Sequence, residues 1–137
     1  MSSVDVSDNG TGYLSPLGEL LNEFAVAGLP HNSHSIALAA SQRVLSGAGY
    51  LVSFTVSNTN AAAQFIQFHD SQTAPGSGAI PSVVYTVAGS SDKIATFVLP
   101  GRYFERGIWV VNSSTSATLT AGSADCWFDV QFLPILN

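Results

Sequence analysis

The sequence predicts an all-β protein: an antiparallel sandwich of about eight strands. Three observations lead there. From Ser35 onward, apolar residues recur with a period of two, as along strands with one buried face. Those stretches are rich in Val, Ile, Thr, Phe, Tyr and Trp, and clusters of Gly, Pro, Asn and Ser separate them at short spacing. The 137 residues make a single domain, of a size that buries about two-thirds of the surface its unfolded chain exposes.

The elements follow in order. Residues 1–13 are polar and contain glycine, which reads as an arm. Ser15 and Pro16 offer an N-cap followed by proline at the first helical position. Leu17, Leu20, Leu21 and Phe24 then fall at helical spacing, predicting a short amphipathic helix over 16–24; Gly18 weakens it, and an irregular apolar arm is the alternative. Leu29-Pro30-His31-Asn32 closes this segment. The boundary is therefore a leading segment, 1–34, followed by a sandwich domain, 35–137.

Within the sandwich, 35–46 supplies the first strand. Tyr50, Val52, Phe54 and Val56 share one face of the next, with Leu51, Ser53, Thr55 and Ser57 on the other. After the turn Ser57-Asn58-Thr59-Asn60 comes a strand over 63–70, then a loop over 72–78 containing Pro75-Gly76. Further strands are expected over 80–87, 93–99, 105–112, 115–120 and 125–133. Several are apolar on both faces: Ile108 and Val110 alternate with Trp109 and Val111. In an isolated sandwich one face of each strand is wetted. The outer face is therefore expected to be covered by the leading segment or by another subunit. Leu14, Leu17, Leu20, Leu21, Phe24 and Trp109 are the expected partner contacts.

Composition narrows the function. Charged residues make up 9% of the chain, against roughly 25% in ordinary domains, so hydroxyls and amides supply the polar surface. With a net charge of -5 and only Arg43, Lys93, Arg102 and Arg106 as strong cations, no basic stripe can neutralise a row of phosphates. Nucleic acid is not an expected partner. No apolar run approaches the roughly 20 residues that cross a bilayer, so neither is a membrane. The opening MSSVDVSDNG lacks the basic and apolar regions of a secretory leader. Cys126 is the single cysteine and alternates with Phe128, Val130 and Phe132, which predicts a buried, inert thiol.

Sites for chemistry are sparse. His31 and His34 lie three residues apart with no third ligand nearby, so a solvated loop is expected rather than a metal site. His69, Asp70 and Ser71 are triad residue types, but adjacent strand residues point to opposite faces, and a strand end leading into a turn is the reading preferred. Pro75-Gly76-Ser77-Gly78 lacks the lysine and helix of a phosphate cradle. Asp125, Trp127 and Asp129 share one strand face, an aromatic flanked by acids that suits a sugar or a cation; an outer face capped by a loop is favoured over that. No enzyme, metal or cofactor is expected.

Three stretches, AAAQFIQFHDSQTAPGSGAIPSVVYTVAG, LPGRYFERGIWVVNSSTSATLT and ADCWFDVQF, resemble a recurrent type of small tailed-bacteriophage virion protein. The shared features are a strand ending in a QFxD-like signature (Gln67, Phe68 and Asp70), a V-A-G turn, and G-R-x-F-x-x-G-I before a Ser/Thr hairpin. The resemblance covers residues 50–133. It implies a jelly-roll-like sandwich serving as a capsid decoration, or cement, protein. Such a protein is expected on the virion surface after assembly in the bacterial cytoplasm, as a symmetric oligomer, most plausibly a homotrimer, bridging copies of the major capsid protein. The leading segment would be its apolar clamp. The alternative is a receptor- or carbohydrate-binding module of a tail fibre or baseplate, with Trp109, Trp127 or Tyr103 as a stacking platform.

Overall fold

A computed structural model describes residues 29–135. The arm and helix expected over 1–24 lie outside them. The described chain forms nine strands: β1 (His31–His34), β2 (Ser41–Ser46), β3 (Gly49–Asn58), β4 (Gln64–Asp70), β5 (Val83–Val87), β6 (Ser91–Thr96), β7 (Arg102–Phe104), β8 (Gly107–Ser113) and β9 (Cys126–Pro134). All-β architecture is therefore observed, and no helix occurs among the described residues.

The strands build two antiparallel sheets. In the first, the order is β1-β9-β3-β6, with β7 also paired to β3; in the second it is β2-β8-β4-β5. The chain changes sheet between β1 and β2, β2 and β3, β3 and β4, β5 and β6, β7 and β8, and β8 and β9. Leaving the short β7 aside, this is the strand order of a jelly roll.

The inner faces meet in one apolar core. Phe54 of the first sheet packs against Phe68 and Tyr85 of the second, at 5.0 Å between ring centroids in both cases. Leu51, Val56, Ile66, Phe104, Ile108, Val110, Phe128 and Val130 complete its centre. The alternation expected along β9 is observed: Cys126, Phe128, Val130 and Phe132 point inward, while Trp127, Asp129 and Gln131 point outward.

The short β7 is not among the expected strands, and of the other elements that differ from expectation, four do so for a local reason. The HNSH stretch, expected to be a loop, is strand β1; it contains no strong strand former, and its ladder to β9 holds it extended. The run 35–46 is not one strand, because 35–40 crosses between sheets and is tied to β9 at two points, by the bonds between Ser35 and Phe128 and by the Ala39–Cys126 bridge. In β3 the register against β9 shifts between Leu51 and Ser53, a bulge at Val52. An extra residue there reverses the alternation, so Leu51 lies in the core in place of Tyr50.

The fourth element, 115–120, forms a loop instead of a strand. Its hydroxyls bond to the nearby backbone: Ser113 Oγ donates to Thr115 O at 2.7 Å and accepts from Thr115 N and Thr120 N, and Thr115 Oγ1 donates to Thr118 O at 2.7 Å. Such bonds offer the chain an alternative to a ladder. The loop arches over the outer face of the second sheet, where it covers part of the apolar outer side of β8. Gln67 of β4 is fully buried there, its Nε2 donating to Thr115 O, Thr118 O and Ser116 O at 2.9, 3.1 and 3.3 Å. Val111, its cross-strand neighbour, and Leu119 are buried as well. The chain itself covers this patch.

Candidate functional site

The motif residues come first, because their roles decide what remains for binding. Asp70 ends β4 with its carboxylate against the β7–β8 turn. It accepts backbone N–H bonds from Arg106 at 2.7 Å, Glu105 at 3.1 Å and Gly107 at 3.4 Å. Gly107 is glycine because a Cβ would press on the carbonyls of Ser71 and Leu45. Gly101 combines a φ of +117° with a backbone contact to Leu51 that leaves no room for a side chain. Arg102 donates to Ser82 O at 3.0 Å, and Phe104 and Ile108 are core. The QFxD and G-R-x-F-x-x-G-I signatures thus pin one end of the sandwich together.

His69, Asp70 and Ser71 are not joined to each other. Asp70 holds the turn, Ser71 Oγ donates to Thr73 O at 2.7 Å, and His69 Nε2 bonds Gln67 Oε1 at 2.9 Å. All three residues border a common cavity. Cys126 is buried, and desolvation, with a smaller contribution from Asp125, pushes its thiol pKa up to about 11. His31 packs against Phe132 at 5.4 Å between centroids, and His34 sits beside Asn32. Among the described residues no cluster of His, Cys, Asp and Glu could hold a metal ion.

Of the expected partner contacts, Leu14, Leu17, Leu20, Leu21 and Phe24 lie outside the described residues. Trp109 lies on the outer face of the second sheet, between Arg43 of β2 and His69 of β4. It is half-buried, and its indole N–H has no hydrogen-bond partner among the described residues. Tyr103 and Trp127 are 53% and 43% exposed and belong to the first sheet. Tyr103 pairs with Tyr50 and Trp127 with Ser57, which puts them about 20 Å apart along β3. The three aromatics therefore do not form one platform.

No family model, curated protein or solved structure matches the chain. What it does is read from its own surface.

That surface offers two kinds of contact. The outer face of the first sheet is a polar floor. Register places Ser53 between Thr96 and Gln131, Thr55 between Ile94 and Asp129, and Ser57 between Asp92 and Trp127. Ser53 Oγ donates to Gln131 Oε1 at 2.8 Å. The edge beside it is apolar: Ile94 is 69% exposed, Val98 91% and Leu99 56%. Ile36 and Ile80 stand exposed elsewhere. Sequence reasoning placed Val98 and Leu99 inside a strand; the signal that they lie in a turn is the Pro100-Gly101 that follows them.

Proposed function

We propose that the chain is a structural component of a tailed-bacteriophage virion, a capsid decoration protein that works through surface contact and performs no chemistry. The observation that carries this reading is the apolar edge formed by Ile94, Val98, Leu99 and Tyr103, on a protein whose charged residues make up only 9%. Apolar side chains exposed together favour a protein partner over free solvent. The resemblance over 50–133 supplies the specific partner, the major capsid protein, with self-association into a homotrimer at its symmetry axes. Jelly rolls recur in viral shells and in lectins alike, so the fold supports this reading without selecting it. Leu14, Leu17, Leu20, Leu21 and Phe24 are the proposed clamp.

Quantitative mass spectrometry of purified virions tests the assignment. A decoration protein is present in proportion to the major capsid protein, and light scattering of the isolated chain gives a mass above 14.3 kDa. A copy number matching tail-fibre components, or absence from virions, overturns it. The second reading, a carbohydrate- or receptor-binding module, is favoured by Trp127, exposed beside Asp125 and Asp129 above the polar floor. Tail-level copy number together with glycan binding lost in Trp127→Ala is its signature.

A further inference from the structure

The end of β4 and the loop after it border a cavity of about 310 Å³, at the small end of the range for ligand pockets. Its walls include His69, Asp70, Ser71, Thr73, Pro75 and Ile80. The residue that gives it chemical character is His69, which is only 3% exposed.

The hydrogen bonds fix the state of that ring. Gln67 Nε2 faces three carbonyl oxygens, so Gln67 Oε1 is the atom turned to His69. An amide oxygen only accepts, so His69 Nε2 carries the proton. In the neutral ring Nδ1 then holds a lone pair, and it has no hydrogen-bond partner among the described residues. Burial lowers the pKa of the ring below 6.5 and keeps it neutral. A nearly buried ring whose acceptor no described residue uses thus stands among the residues that border the cavity.

The remaining walls select among ligands. No Lys or Arg lines the cavity, so an anion would find no counter-charge. The Asp70 carboxylate is already held by three backbone N–H groups, which weakens its appeal to a cation. Among the described residues Thr73 Oγ1 has only a marginal partner, Ser71 Oγ at 3.5 Å, and is free to exchange bonds with a hydroxyl. Ile80, 80% exposed, and Pro75 add apolar wall. Acceptor, hydroxyl and apolar surface together fit a neutral ligand that has both O–H donors and a C–H face.

We propose that this cavity binds a single neutral sugar residue, one hydroxyl donating to His69 Nδ1 and the C–H face resting on Ile80 and Pro75. The site is independent of the Trp127 face and of where a virion carries the chain. Titrating the full chain with methyl glycosides of glucose, galactose and N-acetylglucosamine, while following the His69 ring nitrogens and the amides of 71–82 by NMR, tests it. At least one glycoside is expected to move His69 Nδ1 saturably, with a Kd of about 1–10 mM. Ile80→Ser, at an exposed position that leaves the fold intact, is expected to weaken that binding roughly fivefold through lost apolar contact. No saturable shift with any of the three glycosides overturns the proposal. So does an equal response to sodium phosphate, or an Ile80→Ser variant that binds as the parent does.

Discussion

Replacing Gln67 by Leu isolates the polar clasp between β4 and the 115–120 loop, because the side chain keeps its approximate volume and loses only its bonding. Gln67 Nε2 has two protons to share among three carbonyls, and its best distances are 2.9 and 3.1 Å. Those two bonds contribute about 1 kcal/mol each. The carbonyls do not go bare, since Thr115 O also accepts from Ser113 Oγ and Thr118 O from Thr115 Oγ1. His69 is the group that suffers, because its Nε2–H loses its acceptor in a buried site, at a cost of about 1–3 kcal/mol. The total, about 3–5 kcal/mol, corresponds to a fall in Tm of roughly 12–20 °C at about 4 °C per kcal/mol. Thermal unfolding followed by circular dichroism measures it, and hydrogen exchange at 115–120 locates the damage. A Tm within about 4 °C of the parent, with unchanged exchange in that loop, would refute the view that Gln67 holds the cover in place.

Four further outcomes are expected. Asp70→Ala should cost about 2 kcal/mol and speed amide exchange at Arg106, since the lost acceptor is charged but partly open to water; an unchanged urea midpoint counts against the turn-holding role. Phe128→Ala empties a fully packed position and should cost about 3–5 kcal/mol, read by urea unfolding. The Cys126 thiol should react with a thiol reagent at neutral pH only as fast as the protein opens, given its burial and a pKa of about 11. His69 has a folded-state pKa below the unfolded 6.5, so the unfolded chain takes the proton first. Its contribution is fully present above pH 6.5 and is lost as pH falls through 6.5 towards the lowered folded value, so the urea midpoint should fall across that window and His69→Gln should flatten the slope.

Much of the fold was legible because period-two alternation records which face is buried. β9 carries it unbroken, and each of its residues from Cys126 to Phe132 was readable in advance. The same reasoning misplaced Tyr50 and Leu51, because a bulge changes phase without leaving a mark on composition. It took 115–120 for a strand, because Thr and Ser suit strands and hydroxyl-bonded loops equally. Apolar residues on both faces of β8 suggested an outside cover; Gln67 and Leu119 show that the chain supplies part of it. The cavity at His69 was hidden for another reason. Its walls come from the end of β4 and the loop that follows, and the path of an irregular loop leaves no period-two record in the sequence.

The lengths of the strands have a consequence for how this molecule meets others. Its interior strands are long: β3 has 10 residues, β9 has 9, and β4 and β8 have 7 each. Those at the margins are short: β1 has 4, β5 has 5, β6 has 6 and β7 has 3. The margin strand β2 has 6 and is broken in register between Arg43 and Leu45. Proteins commonly keep sheet margins from templating a neighbour's backbone with charge, and Arg43, Lys93 and Arg102 stand on the margin strands β2, β6 and β7. Brevity and interruption add to them, leaving no long straight rail of free N–H and C=O groups among the described strands for another chain to zip onto. Crowded copies are thereby steered away from open-ended, fibre-like growth, and a specific neighbour has to recognise side chains.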